Sequence, residues 1–224
     1  MDLARFRDQF PVLDHVAWLF TPSCAPTARP VTRALREELD GWESEAVCRS
    51  RRDEPARRGR GLMARLLGVD SADVALAQSV AEAAATVAAS LPAGSRVVVG
   101  ALEYRSNPFP WLAAEERGVE VRTAPMPRGR LRSEDLAAAI TEGTTLVAVA
   151  DVQSATGWRT DLSVVAARCR EVGARLFVDA TQSAGVLSLP DSVRPDYIAV
   201  HGYTWLLCPG ARPGCTCVPT GSPG

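Results

Sequence analysis

Three stretches of the sequence place polar residues directly after apolar segments that resemble strands. In residues 78–82 a short strand runs into the start of a helix, whose free N–H groups can bind phosphate. VDATQS puts Asp179 at a strand end, with Gln182 three residues later, and HGYTWLLCPG begins at His201. A carboxylate such as Asp179 can cap the next turn or serve a ligand. Because α/β folds bind ligands at the carboxyl ends of their strands, these stretches predict one site.

Helices and strands alternate around these stretches. Helices are predicted over residues 29–42, 57–67, 79–91, 111–117, 133–140 and 162–172, and strands over 73–78, 95–100, 119–123, 144–152, 175–180 and 196–202. Short strands that are apolar throughout indicate a mainly parallel sheet that is covered on both faces. We therefore predict a three-layer α/β fold with helices on both sides of the sheet.

The composition excludes several classes of function. A length of 224 residues fits one domain, or one large domain with a fragment of another. The net charge of −1 offers no surface for nucleic acid or an anionic membrane. No apolar run approaches the roughly 20 residues that cross a bilayer, and the amino terminus is charged where a secretion signal would be apolar. We expect a cytoplasmic protein with neither nucleic-acid nor membrane partners.

The cysteine and lysine content limits which reactions and ligands the chain can support. The six cysteines form no C-x-x-C pair and have only two histidines to help them, so we predict free thiols and no metal site. All 25 residues counted as lysine or arginine are arginine. Without lysine the chain has neither a Schiff-base amine nor a phosphate-loop lysine.

Four ordered segments together carry a resemblance to a known family. They are EYRSNPFPW, VQSATGWRTDL, VDATQSAGVLSLP and DYIAVHGYTWLLCPG. In this order and spacing the chain resembles the class V aminotransferases, the branch of the fold-type I pyridoxal phosphate enzymes that contains cysteine desulfurases and kynureninase. The resemblance extends to about residue 209. It implies the large domain of that fold, pyridoxal 5'-phosphate as cofactor, an amino acid as substrate and a homodimer.

The resemblance also implies residues for the cofactor's phosphate. Ala81 and Glu82 match the phosphate-cup positions, where backbone N–H groups matter more than side chains. His201 and Tyr203 match two polar positions that reach the phosphate from just before the family's lysine.

Three further residues match positions around the cofactor ring. Tyr104 matches the residue that stacks on the ring. Asp179 matches the carboxylate that pairs with the ring nitrogen and keeps it protonated, which makes the ring an electron sink. Gln182 matches the residue that donates to the ring's phenolic oxygen. The resemblance thus implies residues for three ring contacts, whereas Ser154 stands where many relatives carry asparagine.

Thr204 occupies the position of the family's Schiff-base lysine. G-Y-T-W-L-L preserves every neighbour of that lysine and replaces the lysine itself. A threonine cannot form an imine, and its hydroxyl is too weakly basic to replace an amine that moves protons. Covalent attachment of the cofactor is therefore excluded in this sequence, and we expect impaired catalysis.

The carboxyl terminus departs from the family. Residues 1–209 are predicted to be the large domain with an N-terminal helical segment, and residues 210–224 a tail unlike the family, with the small domain missing. With permitted codon choices, a one-base shift near residues 207–209 reads PRGTAWLHVRPDRLAG, which resembles the family's continuation. We therefore predict a frameshifted tail, and a sheet edge or face that lacks the strand of the other frame.

Three functional hypotheses remain open from the sequence. The first is a truncated, inactive relative of the class V enzymes. The second is a lysine-free enzyme of the epimerase, lyase or desulfurase type that binds pyridoxal phosphate non-covalently. The third is a non-catalytic binding partner of a related enzyme, which uses the surface that a small domain would cover.

Overall fold

The computed structural model describes residues 2–44, 49–209 and 215–219. The helices are α1 (Leu3–Arg7), α2 (Arg29–Ser44), α3 (Arg49–Leu67), α4 (Val80–Ala89), α5 (Pro108–Ala113), α6 (Ser133–Ala139) and α7 (Leu162–Val172). The strands are β1 (Ala75–Ala77), β2 (Arg96–Gly100), β3 (Glu120–Ala124), β4 (Thr144–Ala150), β5 (Arg175–Asp179), β6 (Tyr197–His201) and β7 (Cys215–Pro219). The alternation read from the sequence is therefore confirmed from β1 to β6.

The strands form one sheet in the order β1-β7-β6-β5-β4-β2-β3. The five strands from β6 to β3 pair in parallel. Strand β7 is antiparallel to both of its neighbours. The predicted mainly parallel sheet is confirmed, and its parallel strands end at one common edge.

Successive residues of the central strands are buried on opposite faces of the sheet. In β4, Val147 and Val149 belong to the apolar core that includes residues of α6 and α7. Leu146 and Ala148 belong to a second core, which includes Trp111 and residues of α4. A strand with both faces buried needs apolar residues throughout, as the sequence has here. The three-layer architecture is thus confirmed.

Helix α3 is longer than the sequence indicated. The prediction began this helix at residue 57. The structure instead carries the helix from Arg49 through Pro55. The boundary is corrected, and the helical segment expected before the sheet is present. No helix in the described parts of the chain is long and apolar enough to cross a membrane.

Strand β7 corrects the prediction for the carboxyl terminus. We expected no strand after residue 209 and an incompletely covered sheet, yet Cys215–Pro219 lies between β1 and β6 and pairs with both. Cysteine, threonine and valine suit a strand, but the glycines and prolines around them favoured an irregular tail in the sequence. Residues 210–214 and 220–224 lie outside the described part of the chain.

Candidate active site

A cavity of about 170 Å³ lies where β4, β5 and β6 end. Five of the eight residues singled out in the sequence line it: Tyr104, Asp179, Gln182, His201 and Tyr203. The other lining residues are Pro22, Ser23, Val80, Ser106, Ala150, Val152, Ser154 and Thr181. Residues that are far apart in the sequence thus form one concave surface, as is usual at this edge of a parallel sheet.

Asp179 is the buried acid of the cavity. It ends β5, and only 6% of its surface is exposed. Its Oδ1 accepts a hydrogen bond of 3.0 Å from the backbone N–H of Thr181. Burial raises the pKa of Asp179, and this contact with Thr181 offsets part of the rise. A cationic group on a ligand would stabilise the ionised carboxylate.

Gln182 connects the cavity to the N-terminal part of the chain. Its Nε2 donates to the carbonyl oxygen of Pro22 at 2.8 Å, and its Oε1 accepts from Trp205 Nε1 at 2.9 Å. The second hydrogen of the amide can still reach a ligand. Gln182 therefore has a structural task that the sequence did not indicate, besides its place on the cavity wall.

The segment around Pro22 and Ser23 forms a wall of the cavity that the sequence analysis missed. Besides the contact with Gln182, the N–H of Ala25 donates to the carbonyl oxygen of Tyr203 at 2.9 Å. The only sequence signal was a turn-prone stretch, T-P-S-C-A-P, with no partner visible nearby. Contacts this distant in sequence could be found only in the folded chain.

His201 and Tyr203 lie at the end of β6 with their rings in contact. The ring centroids are 3.9 Å apart in an edge-on arrangement. Burial lowers the pKa of His201, so its imidazole is neutral at pH 7. Its Nδ1 is buried and has no hydrogen-bond partner among the described residues. The described residues thus leave the hydrogen-bonding capacity of this nitrogen unused.

The start of α4 reaches the cavity through Val80, whereas Ala81 and Glu82 do not line it. Glu82 and its neighbours cap the helix reciprocally. The N–H of Glu82 donates to Ser79 Oγ at 3.0 Å, and the Glu82 carboxylate accepts from the N–H of Gln78. The Glu82 side chain therefore stabilises the helix start, and its own N–H group already has a partner.

Thr204, which follows Tyr203 in the chain, does not line the cavity. Its side chain is almost fully buried, with 1% of the residue's surface exposed. The hydroxyl donates to the carbonyl oxygen of Thr181 at 3.0 Å. The hydroxyl is thus occupied by a backbone contact.

Glu103 is a second buried acid beside the cavity, which the sequence analysis missed. Its Oε1 accepts from the N–H of Ala150 at 3.0 Å and from Gln153 Nε2 at 2.9 Å. Burial raises the pKa of Glu103 to about 7, with a further upward effect from Asp179. The available signal was its position, since it follows an apolar strand as Asp179 does.

The cysteines whose side chains are described are free thiols: Cys24, Cys169 and Cys208. Burial raises the pKa of Cys169 to about 12, which keeps this thiol protonated and unreactive at neutral pH. Within the described ranges no group of three or more histidine, cysteine or acidic side chains could hold a metal ion.

The sheet order, the helices on both faces and the cavity at the strand ends define the large domain of a fold-type I pyridoxal phosphate-dependent transferase. The family model of the class-V aminotransferases matches residues 17–190. The chain belongs to this aminotransferase class-V family.

Two curated relatives indicate how much of the family's length is present. A probable cysteine desulfurase of Methanothermobacter thermautotrophicus is 32% identical over 218 residues, which cover 91% of this chain and 53% of the relative. The uncharacterized aminotransferase YcbU of Bacillus subtilis is 31% identical over 183 residues, covering 81% of this chain and 49% of the relative. The chain therefore spans about half the length of these relatives.

Solved structures agree on the fold. The cysteine desulfurase CsdA of Escherichia coli gives a TM-score of 0.82 at 21% identity, covering 99% of this chain and 58% of that structure. A lysine-to-alanine mutant of C-DES, with glycine covalently linked to its PLP cofactor, gives a TM-score of 0.84 at 20% identity, covering 96% and 59%. In both cases this chain corresponds to a little more than half of the neighbour.

Proposed function

We propose that this chain holds pyridoxal 5'-phosphate non-covalently and does not by itself complete a class V transamination or desulfuration. The observation that carries the proposal is that one cavity joins Tyr104, Asp179 and His201, whereas Thr204 is buried and does not line it. Membership of the family supports the cofactor class. The sequence, which contains no lysine, excludes the covalent link.

The polar atoms of the cavity fit such a cofactor. Asp179 offers a buried carboxylate, whose charged form would be stabilised by a protonated ring nitrogen. The imidazole of His201, which lines the cavity, would donate to a phosphate oxygen through a ring N–H. The first turn of α4 adds the positive end of a helix beside Val80. Tyr104, 52% exposed, is free to pack on a ring.

The residues of the cavity can bind and orient the cofactor, but none of those named here replaces the lysine in proton transfer. When bound, the cofactor would supply an electron sink for a reacting amino acid. Asp179 would keep the ring nitrogen protonated, which is the condition for that role. Thr204 Oγ1 donates to a backbone carbonyl and is a weak base, so it cannot take a proton from a bound amino acid. We therefore propose amino acids as the substrate class, because the family acts on them. We also propose that this chain does not complete a catalytic cycle.

Gel filtration after incubation with pyridoxal phosphate tests this proposal. We expect the protein fraction to retain the cofactor with the visible absorbance of its free aldehyde. A spectrum of cofactor bound covalently to an amine would contradict the assignment of Thr204. Complete loss of the cofactor on the column would overturn the binding function.

We also propose that the chain forms a homodimer in the cytoplasm. Helix α2 exposes an apolar face, on which Leu39 is 46% and Trp42 68% exposed. Exposed apolar residues at helical spacing are typical of a contact surface. The same observation favours the alternative of a non-catalytic partner that binds a related full-length enzyme. Light scattering separates the two, since a self-associating chain gives a dimer mass when it is alone.

A further inference from the structure

The carboxyl group of Glu103 joins three separate parts of the site. Glu103 follows β2 and directly precedes Tyr104 of the cavity wall. Its Oε1 accepts from the N–H of Ala150, the last residue of β4, and from Gln153 in the loop after β4. Neither contact is local in sequence, so together they fix the Glu103 loop against the sheet edge.

The surroundings of Glu103 are built for its side chain. A Cβ atom on Gly100 would lie 3.2 Å from Glu103 Oε1, which is closer than most such contacts. Glycine at the end of β2 thus leaves room for the carboxyl group. The nearby Asn107 is fully buried and accepts from Trp111 Nε1 at 3.3 Å, which anchors the other end of the same loop.

We propose that Glu103 is a positioning residue that holds the Tyr104 wall of the cavity against the end of β4. The contacts carry this inference independently of the ligand that the cavity takes. Glu103 does not line the cavity, so it acts through its neighbour Tyr104 rather than by touching a ligand.

The protonation of Glu103 should control how firmly this wall is held. The pKa of Glu103 is raised to about 7, because its carboxyl group is buried and faces Asp179 on β5. The other acid at this edge, Asp151, is paired with Arg159 at 3.3 Å. In the folded chain the protonated form is favoured, so stability from this group is full below pH 4.5 and is lost as the pH rises through 7. Above pH 7 the cost of burying the ionised carboxylate opposes the anchor, and the hydrogen bonds from Ala150 and Gln153 offset only part of that cost, so the wall loosens.

Fluorine NMR of the protein labelled with 3-fluorotyrosine tests this in the ligand-free chain. The chain has three tyrosines, and Tyr104→Phe identifies the signal of interest. We expect the Tyr104 signal to shift with a midpoint near pH 7. Glu103→Gln keeps the acceptor at Oε1 and cannot titrate, so its Tyr104 signal should lack the transition near pH 7. Glu116→Gln makes the same change at an exposed position and should leave the titration as in the wild type.

A second variant tests the anchor itself. Glu103→Leu leaves the Ala150 and Gln153 donors unpaired, and we expect it to broaden or move the Tyr104 signal at every pH. Its melting temperature, measured alongside, shows whether the variant remains folded. If Glu103→Leu unfolds, the Glu103→Gln titration by itself tests whether Glu103 positions Tyr104. A titration near pH 7 that persists in Glu103→Gln would assign it to Asp179 or His201 and would overturn the proposal, as would a Tyr104 signal that never titrates.

Discussion

The ends of the neighbouring strands β5 and β6 have opposite relations to the cavity. At the end of β5, Asp179 is buried but directs a carboxylate at the cavity surface, where burial raises its pKa. Just after β6, Thr204 is also buried, but it does not line the cavity and its hydroxyl donates to a backbone carbonyl. One strand end thus presents its polar group to the cavity, whereas the other keeps its polar group within the protein.

The largest expected effect comes from restoring the amine at the end of β6. We expect Thr204→Lys to give cofactor that survives denaturation after borohydride reduction, whereas the wild type should give none. Arg57→Lys, an exposed lysine far along α3, is the matched control for surface reaction. Mass spectrometry of the reduced protein measures the difference. Labelling equal to that of the control would mean that residue 204 cannot reach the cavity.

We do not expect Thr204→Lys to give catalytic turnover. The expressed 224-residue chain spans about half the length of its relatives, so a residue from their other half cannot take part in this assay. Transamination and sulfide release from cysteine should therefore both stay at background in Thr204→Lys. Appreciable activity in this single variant would show that the large domain alone is sufficient.

A smaller effect, on the Kd for the cofactor, should distinguish the contribution of Asp179 from that of Tyr104. Asp179→Ala removes a charge-assisted hydrogen bond worth roughly 1.5–3 kcal/mol, which raises the Kd about ten- to 150-fold. Tyr104→Ala loses stacking worth roughly 0.5–1.5 kcal/mol, or about two- to 13-fold. A titration of the cofactor by equilibrium dialysis measures both. Equal losses would mean that the ring does not lie as the family places it.

The smallest effect on binding is expected at Gln182, whose main partners are within the protein. Gln182→Ala removes the contacts with Pro22 and Trp205, so we expect a loss of roughly 1–3 kcal/mol of unfolding free energy. The Kd for the cofactor should rise less than in Asp179→Ala. Urea unfolding and dialysis on the same sample check both values. If Gln182→Ala weakens cofactor binding without lowering the unfolding free energy, the main role of Gln182 is to contact the ligand.

The sequence predicted most of the fold because its signals were local. The apolar strands around residues 97–99 and 146–149 and the helix over Leu162–Val172 follow from periodicity alone. Asp179 was found because it follows such a strand. Glu103 lies in an equivalent place, but its partners Ala150 and Gln153 are some 50 positions away in the chain, and neither they nor the burial that raises its pKa can be seen in the sequence. The Pro22 wall and strand β7 were missed for the same reason, since each depends on a distant partner.

Strand β7 has a consequence for the order in which the molecule can assemble. In the sheet, β1 touches only β7, and Ala75 pairs with Cys217. During synthesis, β1 gains this neighbour only after residues 215–219 have been made, and a contact of such high sequence separation slows folding. Helix α4, which follows β1 and brings Val80 to the cavity, lies next to β7 as well as β6. Strand β7 thus completes the support of an element that is synthesised well before it.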